Sequence, residues 1–250
     1  MSKIGDFPLK DKIAVVTGGG SGINLCFAQL AVQKGAKVII ADLKLTPEAE
    51  KFINSEAASA IFTKCDVTRR ADLENLIRVS EENYGDVPDV YIAGAGVFEP
   101  SWSNFWDDTE EDGYAALDVN VTHAIKLTRI AMRALLRKGK KGVILITASL
   151  AGMVATPLWL SRPDKMTQFG YDPAHTITPE RVAADMYELV TDGQYGGGTC
   201  LENSAAGTRV LGTWNIEAPK SAGTKVPQSV KDVNYRSMIE IMGREKGAKL

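Results

Sequence analysis

The stretch "TGGGSGIN", residues 17–24, decides how the rest of the chain is read. Ahead of it "KIAVV" (12–16) has the length and apolarity of a buried strand. Behind it "INLCFAQLAVQKGA" (23–36) repeats its apolar positions at three and four residues, the period of a helix packed on one side. Glycines at a strand-to-helix turn let the backbone bend sharply and approach a pyrophosphate. The helix that follows offers free N–H groups and the positive end of its dipole. Three glycines alone often do nothing but turn; the strand before and the helix after direct them toward phosphate.

Outward from this loop, short apolar runs alternate with amphipathic stretches. "KVIIAD" (37–42), "AIFTKCD" (60–66), "DVYIAGAG" (89–96) and "GVILITAS" (142–149) read as the second to fifth strands. A helix fits residues 71–84, with Leu73, Leu76 and Ile77 inward. A long helix over 116–138 is apolar at Leu117, Val121, Ala124, Ile125, Leu127, Ile130, Ala131, Ala134 and Leu135, a stripe wide enough for a second partner. In "TPERVAADMYELVTDG" (178–193) Thr178 caps a helix and Pro179 suits its first turn. "GGTCLE" (197–202) reads as the last strand. From 203 to 250 the chain is polar and aperiodic apart from one short helix near "VNYRSMIEIMG". This alternation predicts a single doubly wound parallel α/β domain over 1–202 with an irregular C-terminal tail over 203–250.

Composition narrows the partners. In 250 residues the net charge is −2, so neither a nucleic-acid footprint nor a polybasic membrane patch is expected. "MSKIGDFPLKDK" has no apolar signal segment and no run is long enough to span a bilayer, and with the cysteine pattern below a cytoplasmic chain is expected. Three dispersed cysteines read as reduced thiols, and two unclustered histidines make a zinc site improbable. Asp42 closes the second strand at the spacing where a carboxylate reaches an adenosine ribose. There it favours NAD over NADP, although Lys44 keeps NADP open and a strand-end aspartate can also be merely solvated.

"TGGGSGIN", Asp42, "CDV" (65–67), "AGAG" (93–96), "DVN" (118–120) and "ITAS" (146–149) stand in the order and spacing of the short-chain dehydrogenase/reductase family. Over about 8–202 the chain resembles that family, and most of all the branch related to 15-hydroxyprostaglandin dehydrogenase in fungal secondary metabolism. The resemblance implies an NAD(P)-dependent oxidoreductase for an alcohol or ketone of a small organic metabolite. It implies that Gly18, Gly22 and Ile23 hold the pyrophosphate, Asp66 and Val67 contact adenine, and Ala93 and Gly94 pass the ribose. It puts Asn120 at a proton-relay water, Lys126 at the cofactor edge unless it is a solvated helix lysine, Ser149 on the substrate oxygen, and Val154 and Thr156 on the carboxamide. Two departures suggest a weaker grip on the nucleotide. Asn24 replaces the third loop glycine, where a side chain crowds the strand–helix contact, and Ala93 replaces an asparagine.

The family takes its acid/base from a tyrosine with a lysine four residues later, on one helix face. None of the seven tyrosines here has that lysine: the fourth residues on are Pro88, Ala95, Asp118, His175, Thr191, Thr199 and Ile239. In "SLAGMVATPLW" (149–159) the end of the fifth strand runs directly into what resembles the cofactor lid, so the fold is expected to be short of one helix and one strand. Ser161/Lys165 and Tyr171/His175 have the spacing but contain Pro163 and Pro173. The excision should bare an apolar sheet edge and part of the 116–138 helix, the family's subunit interface and a route to a homo-oligomer; "GGTCLE" is then expected to slide in beside the fifth strand. Trp102, Phe105, Trp106, Leu158 and Trp159 are candidates for a substrate-pocket wall. The alternatives are a dead or non-redox dinucleotide-binding protein, or a mis-spliced form of an active enzyme.

Overall fold

The computed structural model describes residues 5–97, 113–149, 154–168, 170–212, 236 and 240–244. Strand β1 (Ile13–Thr17) is buried along its whole length because it lies mid-sheet, paired in parallel with β2 (Lys37–Asp42) on one side and β4 (Val90–Ala93) on the other. Outside them lie β3 (Ala60–Lys64) and β5 (Val143–Ile146), giving the order β3-β2-β1-β4-β5. The two-residue period sends neighbouring side chains into opposite cores. Val15, Ile39 and Tyr91 face α3 (Arg70–Tyr84) and the long helix after β4, while Val16, Ile40 and Ile92 face α1 (Gly22–Gln33) and the last helix. Helices on both faces make this a single doubly wound α/β domain.

Several sequence expectations change in detail. A helix α2 (Pro47–Ser55), capped by Thr46, follows β2; its sequence is mostly polar and it buries only Ala49, so periodicity does not reveal it. The helix over 116–138 is three pieces: α4 (Ala115–Leu117), a π-turn (Asp118–Thr122) and α5 (His123–Lys138). Its wide apolar stripe divides: Leu127 and Ala131 are fully buried, whereas Leu117, Val121 and Ile125 are 55%, 48% and 65% exposed. The segment after β5 forms two short helices, α6 (Pro157–Leu160) and α7 (Pro163–Gln168), and then α8 (Pro179–Thr191), capped by Thr178.

The expected pairing of "GGTCLE" with the fifth strand is corrected. β6 (Cys200–Ser204) pairs antiparallel with β7 (Gly207–Leu211), off the main sheet. A hairpin closes over a two-residue connection, whereas a parallel pairing with β5 must close a much longer loop. Asp185 of α8 docks the hairpin by accepting from Asn203 Nδ2 and the Thr208 hydroxyl. β7 therefore lies in the stretch read as irregular tail, and the hairpin straddles the 202/203 boundary. Among the described residues β5 has β4 as its only strand partner, and Ile146 is 53% exposed. At the opposite end of the sheet, buried Asp89 accepts from Ile13 N (3.0 Å) and pairs with Lys140 (3.1 Å). All three cysteines are unpaired. No described helix is long and apolar enough to cross a membrane.

The split stripe on α5 is testable. Leu127→Ala should lower stability by about 2–5 kcal/mol, and Ile125→Ala by no more than about 0.5 kcal/mol, in urea unfolding of the dilute chain.

Candidate functional site

The carboxyl ends of β1, β2 and β4 meet at the glycine loop. Gly18 turns the chain with φ +69°, and a Cβ there would stand 2.7 Å from Ala95 Cα, so only glycine permits the approach. Gly20 N donates to Asp42 Oδ2 (2.9 Å), and Leu43 N to Asp42 Oδ1 (2.7 Å). The Thr46 hydroxyl donates to Gly20 O (2.8 Å) and closes the loop from the far side. Helix α1 then opens at Gly22 with no side-chain cap and no acidic residue in its first turn. Its free N–H groups and dipole end face the loop, an arrangement that receives an anion.

Thr17 ties this loop to β4. Its hydroxyl donates to Ile92 O (2.9 Å), accepts from Gly94 N (3.1 Å), and lies 3.0 Å from His123 Nε2. The other ring nitrogen of His123 faces Val119 O at 3.1 Å; a carbonyl only accepts, so the network places a proton on Nδ1, and the single Thr17 hydroxyl proton is shared between Ile92 O and the Nε2 lone pair. His123 is 1% exposed, and burial pushes its pKa down, partly offset by the Val119 contact. Sequence reading missed this residue: it weighed His123 only as a metal ligand.

The other expected residues fall unevenly. Asn24 does not crowd the strand–helix contact as expected. Its Nδ2 donates to Gly94 O (2.8 Å) and Gly18 O (3.3 Å), filling the space that Gly94 leaves, while Oδ1 stays buried without a hydrogen-bond partner. An orphaned oxygen of this kind costs about 1–3 kcal/mol. Asp66 borders an open cavity of about 680 Å³ with Leu43, Lys64 and Arg69. The Thr68 hydroxyl and amide hold its carboxyl below the usual range. Val67 points into the core instead, 8% exposed. The Ala93 carbonyl is taken by Thr147 N (3.1 Å) and the Thr147 hydroxyl (3.2 Å).

Asn120 sits in the π-turn with its amide matched to both backbone groups of one residue: Oδ1 accepts from Val97 N (2.8 Å) and Nδ2 donates to Val97 O (2.9 Å). Lys126 lies apart from the loop's hydrogen bonds, lining a cationic groove with Arg70, Arg129 and Arg133. Ser149 is exposed beyond β5. Val154 bridges to Ile177, and Thr156 is 8% exposed with its Cγ2 3.1 Å from the place a Gly22 Cβ would take, so this segment packs on the glycine loop. Trp159 is buried and stacks near Tyr171 at 6.1 Å, whereas Leu158 is exposed. Trp102, Phe105 and Trp106 lie outside the described residues. Ser161 ends α6 and Lys165 belongs to α7, so the two do not share a helix face. His175 Nδ1 meets Asp172 Oδ2 at 2.7 Å, with 82% of the His175 side chain exposed.

A parallel sheet with a glycine turn and an uncapped helix at its carboxyl edge defines a doubly wound, ligand-receiving α/β fold. The short chain dehydrogenase family matches residues 12–161, and the chain belongs to that family. It is 36% identical over 149 residues to short-chain dehydrogenase reductase 3a of Arabidopsis thaliana, covering 60% of this chain and 57% of that protein. The chain thus spans little more than half the length of such relatives. It is 28% identical over 203 residues to the uncharacterized oxidoreductase Lmo0432 of Listeria monocytogenes, covering 74% and 79% of the two chains. The crystal structure of a short-chain type dehydrogenase/reductase from Mycobacterium marinum superposes with TM-score 0.60 at 19% identity over 77% of this chain and 93% of that one, a likeness of fold.

His123 makes stability depend on pH in a defined direction. Its folded pKa lies below the unfolded value of 6.5, so the unfolded chain binds the proton first. Its contribution is complete above that value and is lost as pH falls through the folded pKa. The urea midpoint should therefore drop between pH 7.5 and 5.5, and His123→Gln should flatten that part of the curve.

Proposed function

We propose that the chain is a nicotinamide-dinucleotide-dependent oxidoreductase acting on an alcohol–ketone pair of a small organic metabolite, with binding intact and turnover impaired. The observation that carries this reading is the glycine loop: α1 opens there without a cap, beside Asp42. These features fit a dinucleotide. The N–H groups of Gly22 and Ile23 take the pyrophosphate, with Gly18 allowing its close approach. Asp42 keeps lone pairs for ribose hydroxyls and repels a 2′-phosphate, favouring NAD over NADP. Asp66, with the backbone of Val67, borders adenine, and Ala93 and Gly94 pass beneath the ribose. Val154 and Thr156 hold the carboxamide. Bound there, the cofactor supplies or takes up a hydride at the substrate carbon.

The chain's own part in the chemistry is to hold the substrate oxygen at Ser149 and to handle its proton. Asn120 supports a water for that purpose, and Lys126 stays near the cofactor edge. A positioned acid/base is worth roughly 10²–10⁴-fold, and no tyrosine here carries the partner lysine. The same absence favours a second reading, a dinucleotide-binding protein without redox turnover, or a mis-spliced form of an active enzyme. We place the chain in the 15-hydroxyprostaglandin-dehydrogenase-like branch, in secondary metabolism and in the cytoplasm. A second copy covers Leu117, Val121 and Ile125.

Fluorescence titration should give an NADH dissociation constant between micromolar and millimolar, on the order of −4 to −8 kcal/mol. Asp42→Ala should narrow the preference over NADPH; equal binding of both cofactors by the unsubstituted chain removes the role given to Asp42. Ketone reduction should stay near background and change little in Ser149→Ala. Inserting a family-like helix and strand between Ala151 and Gly152 should raise turnover by orders of magnitude. Robust turnover that His175→Ala or Lys165→Ala abolishes would reveal a relocated base.

A further inference from the structure

Asn24 makes contacts that a glycine in its place cannot. The residue is 9% exposed at the start of α1, and its side chain donates from Nδ2 to two backbone carbonyls, Gly94 O at 2.8 Å and Gly18 O at 3.3 Å. Carbonyls only accept, so the NH₂ end faces them and the network settles which way the amide points. The oxygen left over is buried without a partner. It lies 2.2 Å from the place a Cβ on residue 94 would occupy, so Asn24 and Gly94 fit only as a pair.

Each of the two glycines is thereby held at both of its polar groups. Gly18 N donates to Ala41 O (2.8 Å) while Gly18 O accepts from Asn24. Gly94 N donates to the Thr17 hydroxyl (3.1 Å) while Gly94 O accepts from Asn24. Glycine rotates freely about φ and ψ, so a single remaining bond leaves the peptide plane that follows free to turn. The plane after Gly18 carries the N–H of Gly19, in the phosphate loop. The plane after Gly94 carries that of Ala95, whose Cα is the backbone atom nearest Gly18.

We infer that Asn24 is a positioning residue for the dinucleotide: by donating to Gly18 O and Gly94 O together, it sets the gap between the phosphate loop and the loop after β4. This rests on the nucleotide-binding reading above. The orphaned oxygen accompanies that clamp, because the geometry that spends both N–H groups on the two loops turns the oxygen into the core.

The test is calorimetric titration of ADP-ribose into the full chain, unsubstituted, Asn24→Asp and Asn24→Gly, at pH 8 and 5.5, with far-UV spectra matched first. Asp has the shape of Asn, but its carboxylate faces two carbonyl oxygens; protonated, it regains one donor, and burial brings that protonation into range. The Asp variant should bind about tenfold or more weakly at pH 8, and the deficit should shrink to about threefold or less at pH 5.5. The protonation of His123 is common to both chains and cancels in the ratio. Asn24→Gly should bind about tenfold more weakly at both pH values, and it decides alone if the Asp variant does not fold. A space-filling role predicts a ratio independent of pH. That result, or a glycine variant binding as tightly as the unsubstituted chain, overturns the inference while leaving the nucleotide reading intact. No binding by the unsubstituted chain overturns both.

Discussion

Two loops meet at the carboxyl edge of the sheet with backbone against backbone. Gly18, ending β1, has its Cα–H side turned to the Ala95 backbone at a distance no Cβ tolerates, and Gly94 offers an empty face that Asn24 fills. That approach depends on β1 and β4 being direct parallel neighbours, in register from Ala14↔Val90 to Thr17↔Ala93. It also depends on Thr17, whose hydroxyl serves Ile92 O and Gly94 N together. The geometry of the glycine loop is therefore a consequence of strand order and of Thr17, Gly18 and Gly94.

The start of α1 differs from other helix starts in the chain. α2 and α8 each begin with a threonine cap, Thr46 or Thr178, and carry Glu48 with Glu50, or Glu180, in the first turn. Those groups satisfy N–H donors and balance the helix dipole. α1 has neither. The nearest carboxylate in its loop, Asp42, is spent on Gly20 N and Leu43 N. Donors and dipole are thus left open at α1 and consumed internally at α2 and α8. The lid segment approaches the same place, since Thr156 packs on Gly22.

What was legible in the sequence followed from local pattern. The five strands and the helices at α1, α3, α5 and α8 carry runs or periods of apolar residues, and Thr178-Pro179 marks a helix start by its own chemistry. α2 was not legible because a single buried alanine leaves no period. The hairpin was missed because strand character does not say which strand is the partner. The site's fixing contacts are invisible for a different reason. Asn24 meets Gly94 across 70 residues and His123 meets Thr17 across 106, and a single sequence records neither distance. Read alone, Asn24 was a bulky intruder in a glycine loop. Beside a glycine at 94 it becomes the tie between two strands.

The two halves of the site rest on foundations of different depth. Every residue of β1 and of β4 is buried, and β2 is buried from Val38 to Ala41. Phosphate loop, Asp42 and Gly94 all spring from these strands. Ser149 lies beyond β5, a four-residue strand with only Leu145 buried and one edge unpaired among the described residues. Its link to the deeper sheet is the β4 pairing, extended by Thr147 onto the Ala93 carbonyl. A change in the chain beyond β5 therefore reaches Ser149 first and the glycine loop last. Among the described residues the hydrogen bonds that fix the glycine loop, from Thr17 and Asn24 to Asp42 and Thr46, all come from residues ahead of Ser149, and the segment after it adds the packing of Thr156 on Gly22.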